Sequence, residues 1–215
     1  MKIKKLTAVL LLSCLILYSL LPSHAVNTAE TGAWRFDDTR REWAQSIIGW
    51  TYDNGIMNGV SDTKFDPYGN MSRAMTATII YRLSGEKHDD NTSPFKDVSQ
   101  DKYYAEAISW AAKNEIILGI SSDSFHPDAN ITREDFVTIL RRYDQKYNKN
   151  TVGTTINSTT FPDEDQINDY AKDAVFWSFE HKILNGGTNG KVYPTSNIMR
   201  CEAATILFNY DNINH

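Results

Sequence analysis

Cysteine is scarce in this chain of 215 residues, which has only Cys14 and Cys201. Cys14 lies in the one long apolar run, residues 6–21, which follows three lysines and precedes a small-residue cleavage site. These features predict a secretory signal peptide over residues 1–25 and a short leader over residues 26–34. The run is short for a membrane anchor and continues past Cys14, which argues against lipidation there. Cys201 then stands alone, so an intramolecular disulfide is excluded, and an exported chain without disulfides fits a bacterial envelope.

Positive charge is also in short supply. The chain has 22 Lys and Arg against 27 Asp and Glu, a net charge of −5. Removal of residues 1–25 takes away three lysines and no acid, so the net charge becomes −8. An exported chain this acidic is a poor general binder of nucleic acid or of an anionic membrane surface. Any anionic partner must therefore be met by individually placed arginines.

Patterns for catalysis are missing as well. The sequence has no CxxC or HExxH metal pattern, no GxSxG and no glycine-rich phosphate loop, and its five histidines do not repeat in register. The acidic clusters Asp37-Asp38 and Asp163-Glu164-Asp165 are interpreted as charges at helix N-termini. We therefore predict no enzyme, no metal and no cofactor, with an enzyme of unrecognised site as the rival class.

The chain does contain one sequence unit that is repeated three times. Each unit has a tryptophan, a glycine nine residues later, a proline seventeen residues later, and an arginine six residues beyond the proline. The sets are Trp50, Gly59, Pro67 and Arg73; Trp110, Gly119, Pro127 and Arg133; and Trp177, Gly186, Pro194 and Arg200. Phe36-Asp37, Phe95-Lys96-Asp97 and Phe161-Pro162-Asp163 mark the three starts. The register predicts repeats at residues 35–84, 95–146 and 161–215, joined by polar linkers at residues 85–94 and 147–160.

Each unit is predicted to be a helix, a loop and a second helix. The first helix carries an apolar stripe around the tryptophan and is expected to stop at the glycine. The second helix opens after Ser72, Thr132 or Met199, of which Ser72 and Thr132 can act as N-caps. One such pair has little core of its own, so the fold class is all-α with the three units packed on one another. A linear solenoid and a closed three-fold arrangement are both possible; equally aromatic units favour closure, because solenoid ends usually carry polar caps.

The repeated arginines suggest a binding function. Arg73, Arg133 and Arg200 lie in the first turn of the second helix, where a cation is mildly unfavourable. A surface salt bridge would explain one of them, but three in register favour an anion site. A helix N-terminus offers free N–H donors, and a guanidinium matches a carboxylate.

The other repeated residues allow two interpretations each. Trp50, Trp110 and Trp177 are either core residues or a stacking wall for a sugar ring, and both hold if the ring lies at the base of a groove. Gly59, Gly119 and Gly186 are first of all helix stops, and only secondly places where a ligand could approach the backbone closely.

Together these motifs resemble S-layer homology domains. The resemblance rests on the tryptophan–glycine spacing, on the loop sequences KFDP, SFHP and KVYP, and on the Ser/Thr-Arg-Ala-Glu-like motif that opens the second helix. It implies a pseudo-three-fold helical bundle with grooves between repeats. It also implies a secreted protein at the bacterial cell wall or S-layer surface, anchored non-covalently to pyruvylated secondary cell-wall polysaccharide on peptidoglycan. The motif arginine is then the contact to the acidic ketal. The alternative is an adaptor or assembly protein that uses the same fold to bind another envelope or S-layer protein.

The three copies of the motif are not equal. They are residues 72–75 (Ser-Arg-Ala-Met), 132–135 (Thr-Arg-Glu-Asp) and 199–202 (Met-Arg-Cys-Glu). The third lacks the capping hydroxyl, and its loop has valine where the other two have phenylalanine. We therefore expect Arg200 to contribute least to ligand binding.

Overall fold

The chain was analysed as a computed structural model that describes residues 35–40, 43–87, 92–147 and 160–214. The predicted signal peptide, the leader and parts of both linkers lie outside these residues. The described part is all-α, as predicted, with six α-helices, three short 3₁₀ helices and only isolated β-bridges. The α-helices are α1 (Gln45–Asp53), α2 (Arg73–Ser84), α3 (Ala105–Lys113), α4 (Arg133–Tyr147), α5 (Lys172–Glu180) and α6 (Arg200–Asn214), and the 3₁₀ helices are Asp37–Thr39, Glu164–Gln166 and Asp169–Ala171.

The first helix of each repeat ends earlier than the sequence suggested. Gly55, Glu115 and Lys182 follow α1, α3 and α5 with φ of 68°, 58° and 58°. Each is the left-handed residue of a Schellman motif: in the first repeat the Ile56 N–H donates to Thr51 O at 2.9 Å, and the other repeats have the equivalent bond. The prediction that Gly59, Gly119 and Gly186 stop these helices is therefore wrong, because the helix stop lies four residues before each of them.

The second helices begin where the motif predicts. Ser72 has an extended backbone, and its hydroxyl accepts from the Met75 N–H at 3.2 Å. Thr132 accepts from the Asp135 N–H at the same distance. In the third repeat Met199 cannot cap, and the carboxylate of Glu202 instead accepts from the Met199 N–H at 2.9 Å. All three helix starts are therefore held, the third by a different group.

The main helix contacts join different repeats. Helix α2 packs on α3, α4 packs on α5, and α6 returns to α1. Each second helix thus buries its apolar face against the first helix of another repeat, and the order of contacts forms a closed cycle. A linear solenoid would leave α6 and α1 apart. The exact three-fold relation between the units stays a prediction.

A ring of backbone hydrogen bonds lies where the repeats meet. The Met71 N–H donates to Ile198 O at 2.9 Å, the Ile198 N–H to Ile131 O at 3.0 Å, and the Ile131 N–H to Met71 O at 3.0 Å. All three side chains are buried. Each residue precedes its second helix by two positions, so the ring fixes the three helix starts next to one another. Within the described part of the chain, none of the helices has the length and apolarity that crossing a membrane requires.

Candidate functional site

The three motif arginines reach across to a neighbouring repeat. Arg200 donates from Nε to Phe65 O at 2.8 Å and from Nη2 to Asn58 O at 2.7 Å. Arg73 makes the same pair of bonds to Phe125 O and Leu118 O, both at 2.9 Å. Arg133 bonds Val192 O at 2.9 Å and, more weakly, Asn185 O at 3.4 Å. Two of the three guanidinium nitrogens therefore hold loop carbonyls, and Nη1 is the nitrogen left for another partner.

The backbone donors at the helix starts are not free. The Arg200 N–H donates to Gly69 O and the Cys201 N–H to Pro67 O, both at 2.9 Å. The first two N–H groups of α2 and α4 donate in the same way to the loops of the following repeats. The sequence interpretation of an anion site built from free helix N–H groups is therefore wrong. These donors close the fold, and an anion would have to be met by the arginine side chains.

Arg200 opens into the larger of the two grooves that we describe. This cavity, here called the Arg200 groove, has a volume of about 460 Å³. Its lining residues are Met57, Asn58, Gly59, Val60, Met75, Thr78, Ile79, Arg82, Tyr103 and Arg200. They come from all three repeats and include two arginines but no carboxylate. The third partner of Arg200, 3.9 Å from its Nη1, is the thioether sulfur of Met75.

Burial leaves the charge of Arg200 weakly compensated. The residue is 5% exposed, and its guanidinium carbon lies 4.5 Å from the centroid of the Phe65 ring. Loss of water lowers the pKa of Arg200, and this shift is opposed by the carboxylates of Asp66 and Asp38. A ligand carboxylate in the groove would supply the counter-charge that the lining residues lack.

Arg133 lies in a smaller groove with a counter-ion already in place. This Arg133 groove has a volume of about 220 Å³ and is lined by Trp43, Arg133, Ile183, Leu184, Asn185, Glu202, Thr205 and Ile206. Arg133 Nη1 donates to Glu202 Oε1 at 2.8 Å. Glu202 occupies the position in α6 that Met75 occupies in α2. The one guanidinium nitrogen that could meet a ligand is therefore already paired.

The corresponding site at Arg73 is intermediate. At this site the position of Met75 and Glu202 is taken by Asp135, the third residue of α4. The charge of Asp135 acts on Arg73. Its carboxylate, however, accepts a hydrogen bond from the Tyr170 hydroxyl at 2.8 Å. Burial lowers the pKa of Arg73, and Asp135 and Asp97 oppose that shift. The rim of this site is apolar, because Leu118 and Ile120 flank Gly119 and are exposed.

Two of the three repeated tryptophans are core residues rather than groove walls. Trp110 and Trp177 are 1% and 0% exposed, and Trp50 is half-buried with its ring edge-on to Phe208. The Trp110 indole N–H donates to Glu86 at 2.7 Å, so it has no free donor for a sugar. The burial of Trp110 and Trp177 rules out the stacking role that was one of the two sequence interpretations for them.

Exposed aromatic residues lie seven positions earlier. Trp43, Tyr103 and Tyr170 are exposed, and the first two line the Arg133 and Arg200 grooves. The seven-residue spacing to the buried tryptophans was visible in the sequence. A seven-residue spacing is typical of one apolar stripe on a helix. In the structure, however, Trp43 and Tyr103 precede α1 and α3, and Tyr170 lies in the 3₁₀ turn before α5.

The repeated glycines are needed by the loops themselves. A Cβ at Gly59 would lie 2.4 Å from the Phe36 ring and 2.5 Å from Ser61 O, and one at Gly119 would meet Phe95 at 2.3 Å. Gly186 is less crowded, with Lys191 O at 3.3 Å as the nearest atom. These contacts account for Gly59 and Gly119 without any ligand.

The acidic residues at the repeat starts hold the same loops, a role that the sequence analysis missed. Asp38 accepts from the Phe65 and Asp66 N–H groups at 2.9 and 2.7 Å. Asp97 and Asp163 hold the matching residues of the other repeats. Each aspartate lies two residues after the phenylalanine that starts its repeat, and this register was the signal that could have revealed the role. Asp37, Asp38, Glu164 and Asp165 do lie in the first turns of 3₁₀ helices, as predicted.

Comparison with known proteins shows a family match for two segments of the chain. Residues 35–75 and 94–137 match the S-layer homology domain. Among similar proteins, the amylopullulanase of Thermoanaerobacterium thermosulfurigenes is 32% identical over 176 residues, which is 80% of this chain and 9% of that protein. The endoglucanase of Bacillus sp. (strain KSM-635) is 28% identical over 96% of this chain and 22% of its own length.

A surface protein is also among the relatives. S-layer protein EA1 of Bacillus anthracis is 28% identical over 77% of this chain and 18% of its own length. The chain thus spans less than a quarter of each of these three proteins. The match agrees with the location predicted from the sequence, at the bacterial cell wall or S-layer surface. Two segments of the chain, residues 35–75 and 94–137, are therefore similar to S-layer homology domains.

Proposed function

We propose that the chain is a non-covalent anchoring module that binds an acidic, pyruvylated secondary cell-wall polysaccharide of a bacterial envelope. The two matched segments and the surface relatives support cell-wall anchoring, and the acidic glycan is the finer part of the proposal. No catalytic role is assigned to the chain, since the enzymes among its relatives are several times longer than the segment they share with it.

One observation carries the acidic ligand: Arg200 is almost fully buried, yet it opens into a cavity of about 460 Å³ without a carboxylate among its lining residues. A buried cation that its surroundings compensate only weakly is unfavourable. A carboxylate at Nη1 would relieve that cost and add a charge-assisted hydrogen bond. Arg82 in the same groove strengthens the preference for an anion.

The groove also suits a sugar ring. Tyr103 is an exposed aromatic ring on its wall, and Met57, Met75 and Ile79 provide apolar surface beside the arginines. An aromatic face with nearby polar donors matches a pyranose, which has apolar C–H faces and polar edges. The acidic ketal would lie at Arg200 and the ring against Tyr103.

The experiment is a pull-down on purified cell-wall sacculi, before and after hydrofluoric acid removes the polysaccharide. We expect the protein to be retained only on intact sacculi, and Arg200→Ala to reduce that retention. Arg40→Ala is the matched control, because Arg40 is exposed, pairs with Asp37 and is not among the lining residues of the groove. Equal retention on stripped and intact sacculi would contradict the proposal.

A second candidate function is binding to another envelope protein, and one observation favours it. Leu118 and Ile120 are 53% and 56% exposed beside Arg73, whereas the residue matching Leu118 is an asparagine in the other two repeats. If this rim binds a protein, Leu118→Asn should abolish capture of an S-layer protein while retention on bare sacculi persists. Unchanged capture would remove this candidate.

A further inference from the structure

We propose that the third residue of the second helix sets the charge of the ligand in two of the grooves, so that the Arg200 groove takes an acidic sugar and the Arg133 groove an uncharged one. The residues concerned are Met75 in α2 and Glu202 in α6. The inference rests on the proposed sugar-binding function and deepens it, since it assigns different ligands to two grooves of one chain.

The Arg133 groove contains its own anion. Arg133 is 8% exposed, and its Nη1 is paired with Glu202 Oε1 at 2.8 Å. The other oxygen of Glu202 accepts from the Met199 N–H, so the carboxylate is held from two sides. An incoming carboxylate would have to displace Glu202 and leave it half-buried beside a second negative charge, which is unfavourable. The pair therefore excludes acidic ligands.

What remains in the Arg133 groove suits an uncharged sugar. Trp43 lines it with 63% of its surface exposed, although a large aromatic residue is usually covered. The Arg133–Glu202 pair presents both donors and acceptors at the base, and Asn185 and Thr205 add neutral polar groups. An open indole face with fixed donors and acceptors matches the hydroxyl and amide groups of a neutral amino sugar.

The Arg200 groove differs at the equivalent position. Met75 places its sulfur 3.9 Å from Arg200 Nη1, where Glu202 places an oxygen beside Arg133. A thioether is a weak acceptor and carries no charge, so it leaves that nitrogen available. Asp66 and Asp38 act on Arg200 from outside the cavity lining. The two grooves thus use the same arginine geometry with different charge balance, since the lining of the Arg200 groove is positive and that of the Arg133 groove is neutral.

The test is an NMR titration of the ¹⁵N-labelled protein with a pyruvylated disaccharide and with the same disaccharide lacking the ketal. The backbone amide of Gly59 reports on the Arg200 groove and the indole N–H of Trp43 on the Arg133 groove. We expect the pyruvylated sugar to shift the amide resonance of Gly59 and not the indole resonance of Trp43. The neutral sugar should shift the indole resonance of Trp43. A pyruvylated sugar that shifts Trp43 as strongly as Gly59 would overturn the inference.

Exchange of the charge supplies the second arm. Glu202→Gln keeps the shape and an acceptor for Met199, so it should allow the pyruvylated sugar to shift Trp43. Met75→Glu should weaken binding of the pyruvylated sugar in the Arg200 groove, measured at the Gly59 amide, by about ten- to a hundredfold more than Met75→Gln does. Glutamine changes the shape similarly but carries no charge. Equal effects of Met75→Glu and Met75→Gln, in folded variants, would overturn the inference and leave the anchoring function standing. If neither sugar shifts any resonance of the wild type, the proposed function fails together with the inference.

Discussion

The Nη2 of Arg200 donates to the carbonyl oxygen of Asn58 at 2.7 Å, between residues that are 142 positions apart. The arginine of the third repeat therefore completes the loop of the first. A substitution in one repeat acts on a groove that the neighbouring repeat provides, and binding data must be assigned accordingly.

The ranking of the arginines is the first prediction. Arg200→Ala should lower the affinity for a pyruvylated disaccharide by about one to two decades, because it removes a charge-assisted pair. Arg133→Ala should have a smaller effect, since Arg133 is paired with Glu202. Calorimetric titration of both variants measures the difference. Both lose equivalent loop contacts, so each serves as the structural control for the other, and a larger loss for Arg133→Ala would refute the ranking.

This ranking reverses the expectation from the sequence, for a physical reason. That expectation rested on the missing hydroxyl cap at Met199. In the structure the first turn of α6 is held by the Gly69 and Pro67 carbonyls and by Glu202, so the lost cap is compensated. The sequence could not show which residue faces Nη1, because Met75 and Arg200 are brought together only by closure of the fold.

Glycine substitutions supply the second prediction. Gly119→Ala should destabilise the protein by about 1 to 3 kcal/mol, because its Cβ would lie 2.3 Å from the Phe95 ring and 2.5 Å from Ser121 O. Gly186→Ala should cost clearly less, with its nearest contact at 3.3 Å. Urea denaturation of both variants gives the free energies of unfolding. Equal losses would mean that the loop crowding does not decide the residue type.

Acid stability gives the third prediction. Burial alone would raise the pKa of Asp97, but bonds from the Phe125 and His126 N–H groups and the Ser124 hydroxyl outweigh it, and the net pKa lies below the ordinary value of 3.8. The folded state thus favours the carboxylate, and this stabilisation is present above the unfolded pKa and lost as the pH falls through the folded pKa. Asp97→Asn should lower the unfolding free energy at about pH 7 and much less at about pH 2.5. If the difference in unfolding free energy between the wild type and Asp97→Asn is as large at low pH as at about pH 7, this role of the Asp97 charge is contradicted.

Cooperativity is the fourth prediction. Because α6 packs on α1 and Ile198 bonds both Met71 and Ile131, a chain ending at residue 147 should lose helical signal and melt at a lower temperature than the complete chain. The complete chain should melt in one transition when followed by circular dichroism. Separate transitions for the repeats, or a truncated chain as stable as the whole, would show that closure contributes little.

The sequence revealed the elements well and the site only in part. The three registers located both helices of every repeat and the caps Ser72 and Thr132, because these depend on local chemistry. The same registers placed the helix stops four residues too late, since the left-handed stop position holds glycine only in the first repeat and Glu115 or Lys182 in the others. The side chains of Glu115 and Lys182 do not indicate a left-handed backbone. Gly59 and Gly119 are glycines for a different reason, because a Cβ there would clash with the loop.

The ring of Met71, Ile131 and Ile198 sets an order of events during synthesis. The first repeat leaves the ribosome long before residue 198 exists, so its loop at that time lacks both the backbone donors and the arginine that complete it. Native contacts over such separations slow folding, because a long stretch of chain must be ordered to make them. We therefore expect the first two repeats to complete their folding only after the third has been synthesised. Substitutions in the last fifteen described residues should act on the folding yield of the entire chain.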